Sequence, residues 1–264
     1  MKKNRAIRQP RYHRGQERQM DDAVQWMMDQ MAKRYRNMVL RGLDQRIIRK
    51  FADAQVGNYA AVTRQQSRKV FASIRRQFGN QRIQRMVRAI LKNADRYNQQ
   101  QLYSQIQRSL GISTEQLIAQ EHMTEEFNAL VIQTTEWVQK LRDDTLEMYT
   151  ANTIRAMTLG QSLAEVTEQF DGMVEKRRNH ARQVARDQIA HFNAVTGKIR
   201  AEAVGVKRAI WRTSGDSKVR HSHRLRDNKE FDLSEGLYSS SDGEYLIPGV
   251  DYNCRCWADY ILDD

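Results

Sequence analysis

Apolar positions in this chain recur at intervals of three and four residues for most of its length, and a polar-rich stretch near the end breaks the rule. Met20, Val24, Met27, Met31, Tyr35 and Met38 fall on one helical face. Leu43, Ile47 and Phe51 predict a second helix, and Phe71, Ile74 and Phe78 a third that stops at Gly79-Asn80. Ile83, Val87, Ile90, Leu91 and Ala94 begin the next face, which Gly111 ends. Ser113, with Gln116 three residues later, predicts a capped helix running to about Leu159, with Phe127, Leu130, Thr134, Trp137, Val138 and Leu141 on its apolar side. Gly160 breaks it. Ser162 and Glu165 predict a second capping box and a short helix that ends at Asp171-Gly172. A long helix then runs through Ala181, Ala185, Ile189, Phe192 and Val195 to near Gly205. No proline lies between Pro10 and Pro248, so nothing of that kind interrupts the helices. The methionine stripe reads as packing, since Met fills irregular gaps.

From Val206 to Thr213 the pattern is that of a strand, leading into a turn at Ser214-Gly215-Asp216. The stretch from Trp211 to Trp257 turns to Ser, Gly, Asp and aromatics, the composition of turns and short strands. The expected fold class is α+β and mainly α-helical: an extended N-terminal helical region followed by a small α+β C-terminal domain. Three parts are expected: a basic flexible arm over 1–15, a helical region over 16–150 that is basic to about 110, and a C-terminal domain over 151–264.

Charge sharpens this division. Residues 1–110 carry 25 Lys and Arg against 7 Asp and Glu, whereas residues 111–264 carry 19 against 25. No acid falls between Asp53 and Asp95, so Arg75, Arg76, Arg82, Arg85, Arg88 and Lys92 lack the Glu partners that usually interleave with them on helices. Such residues are either a solvated face or a surface for an anionic partner, and their mutual repulsion favours the partner, phosphate being the simplest candidate, so contact with nucleic acid, double-stranded DNA bound without sequence preference, is expected. At 264 residues and 40% hydrophobic content the chain can build a real core. No run of about 18 apolar residues is present to span a bilayer, and the basic start lacks the apolar segment of a signal peptide, so a cytoplasmic setting with no membrane partner is expected.

Candidate chemistry gathers at the end. Cys254 and Cys256 are one residue apart, a spacing that closes a disulfide only with severe strain. They are therefore packed thiols or metal ligands. Asp216, Arg220, His221 and His223 lie together about 30 residues earlier, and two His with two Cys form a set that zinc accepts. His223, Cys254 and Cys256 are the candidate ligands, with His221 or Asp216 completing the set. The other reading is a hydrogen-bonded, packed cluster. Ser239-Ser240-Ser241-Asp242-Gly243 reads as the turn that lets the two blocks meet.

The same residues carry a resemblance. Trp211-x-Thr-Ser-x-Asp216-x-x-Val-Arg220-x-x-His223, then Phe231, Pro248 and Asn253-Cys254-Arg255-Cys256, resembles the signature of the minor head proteins of tailed bacteriophages, the head-morphogenesis family typified by the F protein of phage Mu. Gly160-Gln-Ser-Leu-Ala-Glu165, Ala185-Arg186-Asp-Gln, Asn193 and Gly205 are similar to earlier blocks of that domain, so the resemblance covers about residues 150–260. The sequence departs from the pattern at Asp187, where the family often has Thr, and at Asp227-Asn228-Lys229, where it usually has Asn-Gly. Trp211, Asp216, Arg220, Pro248 and Asn253 are its structural motif residues. His221 falls at a variable position and ranks below His223 as a ligand. The resemblance implies a low-copy structural component of the virion, in the capsid interior or at the portal vertex and assembled in the host cytoplasm. Its implied partners are the portal protein, the major capsid protein and packaged or ejected DNA, and it implies no catalytic residues. Two alternatives stand beside it. A nucleic-acid-binding architectural protein explains only the basic part. A metal-dependent nuclease or ADP-ribosyltransferase-like enzyme lacks a Gly-rich phosphate loop and a His-Glu-x-x-His helix in this sequence.

Overall fold

The computed structural model describes residues 5–12, 14–46, 57–240 and 243–262. The periodic stretches form α1 (Arg14–Tyr35), α2 (Arg41–Arg46), α3 (Gly57–Gln77), α4 (Asn80–Leu110), α5 (Thr114–Gln120), α6 (Thr124–Thr158) and α7 (Leu163–Ala203). The polar-rich end forms β2 (Arg208–Arg212), the one-turn α8 (His221–Arg224), β3 (Glu230–Asp232), β4 (Leu237–Ser239), β5 (Glu244–Leu246) and β6 (Trp257–Leu262), while β1 (Arg5–Arg8) comes first in the chain. The fold is thus mainly helical α+β, as the periodicity predicts. Among the described residues no helix is long and apolar enough to cross a membrane.

Two compact units divide the chain, each discontinuous in sequence. The first takes Met1–Met20, Arg88–Val131 and Ala185–Asp264, and the second Asp21–Val87 and Ile132–Val184. Part of the expected helical region therefore belongs with the C-terminal strands.

In the first unit the strands form an antiparallel sheet in the order β1-β6-β2-β3. Ala209, Trp211, Phe231, Ala258 and Tyr260 are buried against Leu102, Tyr103 and Ile106 of α4 and Ala201 of α7. The basic start is not a solvated arm where it is described. Residues 5–8 pair with β6, Ile7 is buried, and Gln9 both donates its N–H to Ala258 O and accepts the Ala258 N–H on Oε1, each at 2.8 Å. Edge pairing orders this segment because the ladder satisfies its backbone, which its low apolar content does not reveal. The predicted single helix from 113 to 159 is interrupted after Gln120. Ser113 and Gln116 do form the capping box, but Glu121 is extended, and its carboxylate accepts hydrogen bonds from buried Arg200 at 2.7 and 2.9 Å.

In the second unit Tyr35 donates its hydroxyl to Tyr149 O at 3.0 Å and packs with Tyr149 and Phe170. Most of the stripe on α1 is buried as expected. Met38 is only half-buried, because a π-helical turn at Arg36–Leu40 shifts the face so that Val39 and Leu40 point inward. Trp137 is a second correction. It is 47% exposed, since Thr134, Thr135, Val138, Leu141 and Arg142 take the inward positions. Asp171-Gly172 does not end a helix either: α7 runs through it, and burying Phe170 outweighs the roughly 1 kcal/mol that a mid-helix glycine costs. Ile47, Phe51, Ser241 and Asp242 lie outside the described residues.

Candidate functional site

Two loops of the first unit build the His–Cys cluster. The first leaves β2 and turns at Asp216, whose backbone carbonyl accepts the Val219 N–H at 3.1 Å and whose carboxylate accepts the Lys218 N–H at 2.9 Å. Both Asp216 oxygens also take the Arg255 guanidinium, at 2.6 and 2.7 Å, and these bonds hold the carboxyl down at about 2. Arg220 then leads into α8, which presents His223. The second loop follows Pro248. Gly249 has φ +98°, and a Cβ there would stand 3.0 Å from the Ala194 Cβ, so only glycine lets the loop sit this close to α7. Asn253 adopts φ 52°, a left-handed conformation that Asn tolerates, and this turn delivers Cys254 and Cys256. Its N–H donates to Asp187 at 3.1 Å, and its side-chain oxygen accepts from the Arg186 guanidinium, so the departure from Thr at 187 supplies a carboxylate that anchors the turn. Burial pushes that carboxyl up to about 6.

His223, Cys254 and Cys256 meet inside this frame, all buried, with their ligand atoms within 4.8 Å of one another. Nδ1 of His223 lies 3.3 Å from Cys256 Sγ and 3.5 Å from Cys254 Sγ. Nε2 points the other way, 3.1 Å from Asp251 Oδ2. The Cys254 thiol is pulled down to about 5, chiefly by its hydrogen bond with Cys256 and further by His223, whereas Cys256 is pushed up by Cys254 and by burial. Trp211 is fully buried beside the cluster, edge-on to the His223 ring at 5.6 Å between centroids. This group could hold a metal ion.

The other sequence candidates divide. His221 is exposed and outside the cluster, and Asp216 is committed to Arg255, so neither completes the ligand set. Arg220 bonds Tyr252 O and Asp251, each at 2.7 Å, bracing the second loop, and Pro248 is buried in it. Sequence reasoning missed Asp251. A signal was there, because a buried imidazole needs an acceptor for its second nitrogen, and a carboxylate stands three residues before Cys254.

The basic residues line two cavities. Arg75, Arg76, Arg82 and Arg85 are exposed around an open cavity of about 800 Å³ in the second unit, at the start of α4. Arg142 and Asp143 line it too, and Asp143 is held by Arg142 through two 2.8 Å hydrogen bonds. Five guanidinium groups therefore face one carboxylate. Arg88 and Lys92 line a different cavity, in the first unit, that also holds Asp95 and Glu121, and Arg88 donates to Asn128 Oδ1 at 2.7 Å.

Comparison with known proteins agrees with the motif residues. Residues 147–258 match the family model described as Phage Mu protein F like protein. An uncharacterized protein of Haemophilus influenzae is 25% identical over 238 residues, 90% of this chain and 52% of that protein. The NAD(+)–arginine ADP-ribosyltransferase EFV of Enterococcus faecalis is 26% identical over 133 residues, 47% of this chain and 27% of that protein. The chain thus spans about half the length of the first relative and about a quarter of the second. No solved structure matches.

Proposed function

With residues 147–258 a domain of the phage Mu F-like family, we propose that this chain is a low-copy structural protein of a tailed-phage head. It sits at the portal vertex or in the capsid interior, bound to the portal protein and the major capsid protein. The family match is the observation that carries the reading. The basic cleft supports a contact with packaged or ejected DNA, since four exposed arginines around one open cavity suit phosphodiester groups rather than base edges. The protein acts without turnover. The activity in the name of the Enterococcus relative is not carried over, because the aligned span is about a quarter of that protein. The test is co-expression with the portal and major capsid proteins of the same phage or prophage: the chain should co-purify with portal rings and appear in assembled heads. Heads that form normally and never contain it would sink the proposal.

Zinc is the ion that the His–Cys–Cys group fits best. Tetrahedral zinc, with bonds of about 2.3 Å to sulfur and 2.0 Å to nitrogen, places its N and S ligands about 3.5 Å apart. The observed separations are 3.3 and 3.5 Å. One imidazole nitrogen also faces two sulfurs at once, which an ion satisfies and a single N–H does not. Elemental analysis should find about one zinc per chain, lost in Cys254→Ser together with the protease resistance of the C-terminal loops. Metal-free protein that still resists protease would leave the group as hydrogen-bonded packing.

A further inference from the structure

We infer that this site offers only three protein ligands, His223 Nδ1 and the two sulfurs, and that its fourth position opens onto a basic cavity where it takes water or a small exchangeable anion. The inference rests on the zinc reading and goes beyond it, since a structural staple is closed by four protein ligands whereas an open site keeps an exchangeable one.

Three observations carry it. The first is the orientation of His223. Asp251 Oδ2 stands 3.1 Å from Nε2, which fixes the proton on Nε2 and turns the Nδ1 lone pair toward both sulfurs. This is the carboxylate–imidazole arrangement that orients a metal-bound histidine from outside the ligand set. Asp251 is therefore a positioning residue. Its oxygens are already used: Oδ1 accepts the Tyr252 N–H at 2.6 Å, and Oδ2 accepts from both His223 and Arg220.

The second observation is that among the described residues no fourth His, Cys, Asp or Glu joins the group within 4.8 Å. Asp216 is tied by both oxygens to Arg255, and His221 faces solvent.

The third is the space beside the ligands. A cavity of about 250 Å³ is lined by all three of them together with Ser214, Lys218 and Arg220. Water occupies about 30 Å³ in the liquid, so this volume accepts several molecules or a small anion. Zn²⁺ with two thiolates is neutral at the centre. The charge felt by an incoming ligand is therefore set by the surroundings, where Arg220 and Arg255 are paired to Asp251 and Asp216 and Lys218 is exposed at the rim. That environment selects an anion over a cation.

The test uses the full chain, stripped with chelator and loaded with Co²⁺ as a coloured stand-in for zinc. Thiolate-to-cobalt absorption reports binding through sulfur, and the d–d bands report what occupies the fourth position. Titration with azide should shift the d–d bands saturably while the thiolate band remains. Bands that do not move with azide would mean that a fourth protein ligand closes the site, overturning the inference while leaving the metal reading intact. If no thiolate band forms at all, both fail. Asp251→Asn separates the remaining possibility. As a positioning change it should weaken metal affinity roughly 10- to 100-fold and leave the azide response in place. An azide response that appears only in Asp251→Asn would make Asp251 the fourth ligand and overturn the inference.

Discussion

Arg200 of the first unit is fully buried and bonded to Asp95 at 2.6 Å, Glu121 at 2.7 and 2.9 Å, and Asn98 at 2.8 Å, whereas Arg75, Arg76, Arg82 and Arg85 of the second unit stand exposed around a cleft whose lining carboxylate, Asp143, is bonded by Arg142 and reached by Arg75 at 3.7 Å. The contrast lies in partner density rather than residue type. A buried guanidinium is tolerable only when carboxylates and amides use up its donors, and the group then serves structure. Arginines gathered in water without enough acids repel one another, and that repulsion is relieved by a polyanion. Composition reports the sum of the two cases and hides the difference.

Removing Arg200 should test the contrast hardest. Arg200→Ala strands Asp95 and Glu121 near the sheet core, and a loss of about 3–5 kcal/mol is expected by denaturant unfolding. A loss below about 1 kcal/mol would place Arg200 with the surface cations. Replacing Arg75, Arg76, Arg82 and Arg85 together by Gln should leave the unfolding midpoint nearly unchanged. It should also flatten the salt dependence of duplex DNA binding by about 3 to 4 in log K against log salt, at roughly 0.9 per phosphate contact. An unchanged slope would make the cleft a solvated face. Ser162→Ala, at the cap of α7, should cost about 1 kcal/mol. The Ser162 hydroxyl and N–H bonds hold the Glu165 carboxyl below its usual value, so this cap contributes fully above the ordinary carboxylate range and is lost as pH falls through the lowered folded value. The gap between the parent and Ser162→Ala should therefore narrow in acid, and a gap that widens there would break the assignment. Trp137→Ser should change stability by less than about 0.5 kcal/mol despite the size of the side chain, because the indole is half exposed.

Much of the helical part was legible. Capping boxes at Ser113 and Ser162, the stop at Gly79 and the inward stripe on α1 are local features, written in neighbouring residues and carried directly into the fold. What escaped depends on partners far along the chain. Glu121 is extended because Arg200, 79 residues away, claims its carboxylate, and residues 5–8 are a strand because β6 supplies the ladder. Arg88 and Lys92 share a helix and a charge with Arg82 and Arg85 yet line a cavity that brings its own acids.

The sequence by itself determined most of the helical faces, the α+β class and the three ligand types of the candidate metal site, since periodicity, caps and a Cys-x-Cys beside a His-rich loop are short-range facts. The motif already ranked His223 above His221, and only the tertiary structure decided that Asp216 pairs with Arg255 instead of joining the ligands and that Asp251 holds the inward-turned imidazole from behind. One turn of helix and one left-handed asparagine set those directions, and a side chain's direction becomes fixed only when the backbone on both sides of it is packed.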